Sequence, residues 1–240
     1  MDLTAPEMAI ALISVLVGGL IQGSIGFGMA LIVTPVLSFV APGSVPATIL
    51  ILAFPLTLSM AVREREAIEK RGLLEITLGR LPGTALAVVL IGVLSGERII
   101  FVIGAVVFVA ALISWFTPEF ELKTRLRVVA GVFSGFMGTI AGIGGPALAL
   151  AYQRRPGPQL RATLAAAFVI GSIISLTVLG VAGRVQTQHL ILALQLIPAL
   201  LIGLWLSARL ARVLDRGWLR PAVLGFALVS GLAAMWKGLG

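Results

Sequence analysis

Apolar residues run through the chain in eight stretches, roughly 8–40, 46–62, 73–95, 99–116, 128–151, 162–182, 190–208 and 219–236. Short polar connections separate them. Most stretches match the about 20 residues that a helix needs to cross a bilayer. The first is too long for one crossing. Its middle, GGLIQGSIGFGMALIVTP (18–35), carries five glycines, a glutamine and a serine. An interior glycine costs a helix about 1 kcal/mol relative to alanine. Backbone left uncovered at membrane depth costs more. The pattern therefore predicts a helix broken at the glycines, with its backbone covered by protein or lining a cavity.

The eight stretches form two sets of four. GSIGFG (23–28) recurs as TIAGIG (139–144), 116 positions later. The next stretches open with PAT (46–48) and RAT (161–163), and Pro82 corresponds to Pro198. The fourth stretches each hold a glycine and end on tryptophan: Gly104 and Trp115, then Gly225 and Trp236. This ordered recurrence predicts an internal duplication, with repeats over 1–120 and 121–240 in one membrane domain. Tryptophans 115, 218 and 236 stand at stretch ends, as an interfacial aromatic belt requires.

Charge decides how the repeats are oriented. Arg63, Arg65, Lys70 and Arg71 follow the second stretch, and Lys123, Arg125 and Arg127 follow the fourth. Arg154, Arg155 and Arg161 follow the fifth, and Arg209, Arg212, Arg216 and Arg220 the seventh. The other connections and termini carry only Arg98, Arg184 and Lys237. If all eight stretches crossed, the basic residues would be shared equally between the two faces. If the first stretch of each half instead enters and returns to one face as a pair of half-helices, each half crosses three times and the second half is inverted. All four basic connections (63–72, 117–127, 152–161 and 209–220) then share one face, the cytoplasmic one by the positive-inside rule. Both termini lie opposite. The expected fold is thus an all-α polytopic membrane protein built from two inverted repeats, each opening with a glycine-broken, re-entrant helix. Broken helices meeting near the midplane between inverted repeats are the architecture of secondary transporters. Half-helix ends there offer unpaired N–H groups and a positive dipole end, which suit an anion.

Composition agrees: 59% of the 240 residues are hydrophobic and 12% charged, more apolar surface than a soluble domain can cover. Asp2 and Glu7 precede the first apolar run and no basic leader does, which argues against a secretory signal peptide. The net charge of +8 belongs to membrane-orienting loops rather than to nucleic-acid binding, since no basic helix or aromatic platform accompanies it. The chain has no cysteine, which excludes disulfides, thiolate nucleophiles and sulfur-ligated metals.

At its glycine breaks the sequence resembles the sulfite exporter TauE/SafE family, also called toluene-sulfonate-uptake permeases. The likeness covers nearly the whole chain and rests on GSIGFGMALIVTP and GTIAGIGGPALAL, each opening a four-stretch half. It departs from the family pattern where Phe27 and Met29 interrupt the first set of glycines, and where Pro146 and Ala151 follow the second. The resemblance implies an inner-membrane carrier of small sulfur-containing anions such as sulfite, organosulfonates or sulfoacetate.

Arg80 is the one charge well inside a stretch. A cation at mid-helix costs about 2.5–3.5 kcal/mol on insertion scales, and the planar guanidinium suits a sulfur oxyanion. It is the candidate counter-charge; the alternative is that it snorkels towards Lys70 and Arg71. Gln195 is its repeat-related neighbour, aligning with Gly79, and could donate to the anion or bond between helices. Gln22, Ser24 and Thr139 at the breaks can donate without charge, beside the backbone of Gly23, Gly26, Gly28, Gly138, Gly142, Gly144 and Gly145. Thr48 and Thr163 read as helix caps, Glu75 as a partner of Arg71 one turn away, and His189 as an interfacial residue. No cofactor or metal is implied. An intramembrane enzyme is disfavoured, because no Ser/His/Asp or metal-ligand set is present. The readings left are a carrier of a small sulfur-containing anion, a permease for a non-sulfur organic anion, or an anion channel of the same architecture. Proton-coupled, exchange and uniport modes all fit. Small-residue faces also suit a homodimer in the lipid bilayer.

Overall fold

A computed structural model describes residues 3–94, 97–116, 124–152, 155–214 and 219–239. Lys123, Arg154, Arg216 and Trp218, named above, lie outside them. The described residues form helices and no strand: α1 (Ala5–Ile25), α2 (Met29–Val40), α3 (Ala47–Arg63), α4 (Lys70–Val93), α5 (Glu97–Phe116), α6 (Thr124–Ala141), α7 (Gly145–Tyr152), α8 (Gly157–Val181), α9 (Thr187–Leu214) and α10 (Leu219–Lys237). Six of the eight apolar stretches are single helices. The first and fifth are each cut in two, at the glycines.

The cuts share one local cause. Gly26 and Gly142 adopt left-handed backbone, φ 98° and 72°, which ends a helix and which side chains disfavour. Gly26 N–H closes α1 on the carbonyl of Gln22 at 2.8 Å, and Gly142 N–H closes α6 on Gly138 at 2.9 Å. The arms, however, are not paired half-helices. α1 and α6 have 21 and 18 residues, α2 and α7 only 12 and 8. At 1.5 Å per residue the first pair extends about 27–31 Å and the second about 12–18 Å. Hydropathy alone hid this, because the apolar run continues through both arms.

The two halves exchange packing partners. α1 packs on α9 as α6 packs on α4; α3 packs on α8, and α5 on α10. The threonines read as caps also match across the halves. Glu69, just before α4, donates its N–H to Thr163 Oγ1 at 3.0 Å, and Thr48 donates to the carbonyl of His189, near the start of α9, at 3.4 Å. Each bridges two elements rather than capping its own helix.

Backbones approach closely at small residues. A Cβ on Gly79 or Gly83 would stand 2.1 Å from the carbonyl of Val128 or Val132 on α6, and one on Gly203 2.1 Å from that of Leu16 on α1. Gly104 and Gly231 bring α5 and α10 together in the same way. These small-residue faces are used inside the chain, so they supply no argument for a homodimer. Large residues turn outward instead: Leu74, Leu78, Leu86 and Val89 on α4 are all more than half exposed, the arrangement for lipid contact. Among the described residues, five helices are long and apolar enough to cross a membrane. Trp115 and Trp236 lie exposed near the ends of α5 and α10.

Among the described residues, Arg127 and Arg161 meet glutamates near the start of α4 and the end of α3, at one end of the bundle. Arg161 bonds Glu64 at 2.9 Å, and Arg127 bonds Glu69 at 3.1 Å and Glu75 at 3.3 Å. Glu75 also pairs with Arg71 as expected, at 3.3 Å. Gly26 packs on Arg161 and Gly23 on Ser207, which brings the end of α9 to the same region. At the other end His189 is buried rather than interfacial. Its Nδ1 accepts from Gln186 N–H at 3.0 Å and its Nε2 meets the carbonyl of Gly43 at 2.9 Å, which sets the ring as the neutral tautomer protonated on Nε2.

Candidate functional site

The two breaks touch. A Cβ on Gly145 would stand 2.9 Å from Cβ of Phe27, so the first turn of α7 lies against the turn that leads into α2. A second bond ties the broken elements together: Thr34 on α2 donates to the carbonyl of Ala141, the last residue of α6, at 2.6 Å. That carbonyl has lost its helical partner to the break, and Thr34 satisfies it in the buried core. The N-termini of α2 and α7 thus converge, bringing two positive dipole ends together; on α2 the Leu31 N–H is already bonded to the carbonyl of Gly28 at 3.1 Å.

Beside them lies a narrow cavity of about 40 Å³. The breaks supply Gln22, Gly28, Gly138, Gly142, Gly144 and Gly145 to its wall, and α4 supplies Arg80. Gln22 Oε1 accepts from Met29 N–H at 3.2 Å, so this side chain caps α2 from the preceding helix.

Arg80 does not snorkel. It is 2% exposed, its Nη1 donates to Ser134 Oγ at 2.8 Å, and its Nε is buried without a partner. Glycines make the room. A Cβ on Gly171 would lie 2.1 Å from Arg80 Cζ, one on Gly138 3.2 Å from Nη2, and one on Gly144 3.3 Å from Nη1. The guanidinium therefore lies flat between α6, the second break and α8. Among the described residues no carboxylate pairs with it. A buried cation with an unsatisfied donor on a cavity wall is poised for an anionic acceptor.

Seven of the twelve candidate residues line this cavity: Arg80, Gln22, Gly28, Gly138, Gly142, Gly144 and Gly145. The other five lie elsewhere. Gly23 packs on Ser207 and Gly26 on Arg161, towards the basic end. The Ser24 hydroxyl donates to the carbonyl of Leu20 in its own helix at 2.8 Å. The Thr139 hydroxyl donates to Thr84 Oγ1 at 3.3 Å and shares a 2.8 Å bond with Ser175. Gln195 is on the exposed side of α9.

Sequence reasoning missed Ser134 and Gly171, which hold Arg80, and Thr57 and Ser172, which bring hydroxyls to the cavity wall from α3 and α8. It also missed the apolar side of the cavity, formed by Phe27, Met29, Leu50 and Phe168. Ser172 lies next to Gly171, and a Gly-Ser pair inside an apolar helix was the one signal available.

The chain matches the family model described as Sulfite exporter TauE/SafE over residues 10–234. No curated protein and no solved structure matches it.

Proposed function

Because the chain belongs to the sulfite exporter TauE/SafE family, whose members move sulfite-type anions across membranes, we propose that it is a secondary carrier of a small sulfur-containing anion, working by alternating access between two inverted halves. The observation that carries this reading is Arg80: a buried guanidinium, with an unpartnered Nε, on the wall of the cavity where two helix N-termini meet. The anion's oxygens accept from the guanidinium and from first-turn N–H groups of α7, with the dipole of α2 adding to the field. Ser172 and Gln22 add neutral donors, and Phe27, Met29 and Phe168 form the apolar side of the site. Neutral donors and helix dipoles bind an anion firmly enough to strip its water, yet weakly enough to release it. The exchange of packing partners between the halves supports a pseudo-two-fold axis through this cavity.

The basic connections 63–72, 117–127, 152–161 and 209–220 then face the cytoplasm of a bacterial cell, with both termini across the inner membrane. The test is thermal stabilisation of the purified chain by sulfite, sulfate, thiosulfate, taurine and sulfoacetate. One or more should raise the melting temperature in a concentration-dependent way, and Arg80→Ala should abolish the shift. A full shift in a folded Arg80→Ala protein rejects the site. Counterflow in proteoliposomes identifies a carrier, and ohmic current a channel.

A further inference from the structure

Exchanging the halves turns α3 into α8, so the meeting of α3's last turn with α8's first turn at the basic end has a counterpart at the other end, where α8 finishes and α3 starts. The two meetings differ. At the basic end Arg161 donates from Nε and Nη2 to Glu64 Oε1, at 3.1 and 2.9 Å. The stem of Arg161 also covers the first break, since a Cβ on Gly26 would stand 3.0 Å from its Cγ. One side chain thus ties α8 to α3 and lies against the α1–α2 turn.

At the other end the position matching Arg161 is Pro46, by the RAT and PAT repeats, and it can form no ion pair. Pro46 instead lines a cavity of about 670 Å³, together with Val45 and, beyond the end of α8, Gly183 and Arg184. A Cβ on Gly180 would meet nothing within 4 Å, so at this position the end of α8 presses on no neighbour, although Leu179 beside it is buried. The ties there are neutral-acceptor hydrogen bonds: His189 to Gly43, Thr48 to His189, and Arg184 Nη2 to the carbonyl of Ile91 at 3.2 Å, none of them an ion pair.

We propose that the Glu64–Arg161 pair is the gate on the basic end, and that this structure is the conformation closed there and open at the other end. The proposal rests on the carrier reading above. In each cycle the pair parts as the ends of α3 and α8 separate, while the cavity at the far end closes. The pair suits that role. Its side chains are 17% and 27% exposed, so water reaches both when they separate. Glu64 Oε2 is buried without a partner, so closure leaves one acceptor that opening hydrates.

The chain has no cysteine, so Glu64→Cys with Arg161→Cys introduces the only thiols. The full-length protein is reconstituted in proteoliposomes, and counterflow of radiolabelled sulfite and sulfoacetate is measured before and after a reducible bifunctional thiol crosslinker. The crosslink should lower counterflow at least tenfold, reductant should restore it, and the crosslinked protein should still be stabilised by the anion, whose site stays reachable from the far end. Unchanged counterflow through the crosslinked protein overturns the gate. If the double-cysteine chain does not fold, charge exchange serves instead. Glu64→Arg and Arg161→Glu should each lower counterflow at least fivefold, and together restore most of it; additive loss overturns the gate. A wild-type chain that neither moves nor is stabilised by any tested anion defeats the carrier reading itself. Flux that survives the crosslink in a chain that binds anion defeats the gate alone.

Discussion

Phe27 and Gly145 are in contact although they belong to opposite halves: a Cβ on Gly145 would approach Phe27 Cβ to 2.9 Å. Each residue sits at a helix break, so the contact sets how closely two helix N-termini converge on the cavity that Arg80 lines. Gly145→Ala forces the breaks apart. Anion counterflow should fall several-fold, and Phe27→Gly in the same chain, which removes the clashing Cβ, should recover part of it. Normal counterflow in the single variant would show that the separation of the breaks does not matter.

Gly171 leaves the space that Arg80 fills. A methyl group there would lie 2.1 Å from the guanidinium carbon, so Gly171→Ala should displace Arg80 and weaken anion binding by about tenfold, a loss of about 1.4 kcal/mol. Gly180→Ala on the same helix is the control, since a Cβ there meets nothing within 4 Å. Titrating the anion-dependent melting shift in both variants tests this, and equal shifts would contradict it.

Ser134 aims the guanidinium through a 2.8 Å hydrogen bond. A bond to a charged group contributes about 1.5–3 kcal/mol. Ser134→Ala should therefore weaken anion binding by an order of magnitude or more while leaving the charge in place. Isothermal titration on detergent-solubilised protein measures the change, and an unaltered affinity would mean that packing alone orients Arg80.

Thr34 holds the first hairpin to the second through the Ala141 carbonyl. Thr34→Val keeps the shape and strands a buried acceptor, at a cost of about 1–3 kcal/mol. The variant should melt at a lower temperature without added anion, and Thr34→Ser should melt near wild type. A Thr34→Val protein as stable as wild type would show that another donor takes the carbonyl.

What the sequence by itself determined is local or statistical in origin. Hydropathy located the spans because each is a continuous run. The glycines located both breaks because left-handed backbone is needed where Gly26 and Gly142 stand. Charge predicted that four basic connections share one end, since the rule depends on sums over loops rather than on any contact. The isolation of Arg80 was visible because a lone charge in hydrocarbon stands out from its neighbours.

Only the tertiary structure decided where those residues point. Ser134 is 54 positions from Arg80, and Gly171 reaches it from another helix, so no local pattern joins them. The first break turns left-handed at Gly26, which leaves Gly23 and Gly26 against Ser207 and Arg161 and only Gly28 on the cavity wall. Gln195 carries a donor as suitable as any other, yet α9 buries its neighbours Leu192, Leu196 and Ala199 and turns Gln195 away. Whether a polar group in an apolar helix faces a site, a neighbouring helix or lipid depends on how that helix is rotated, and packing between helices distant in the chain sets the rotation.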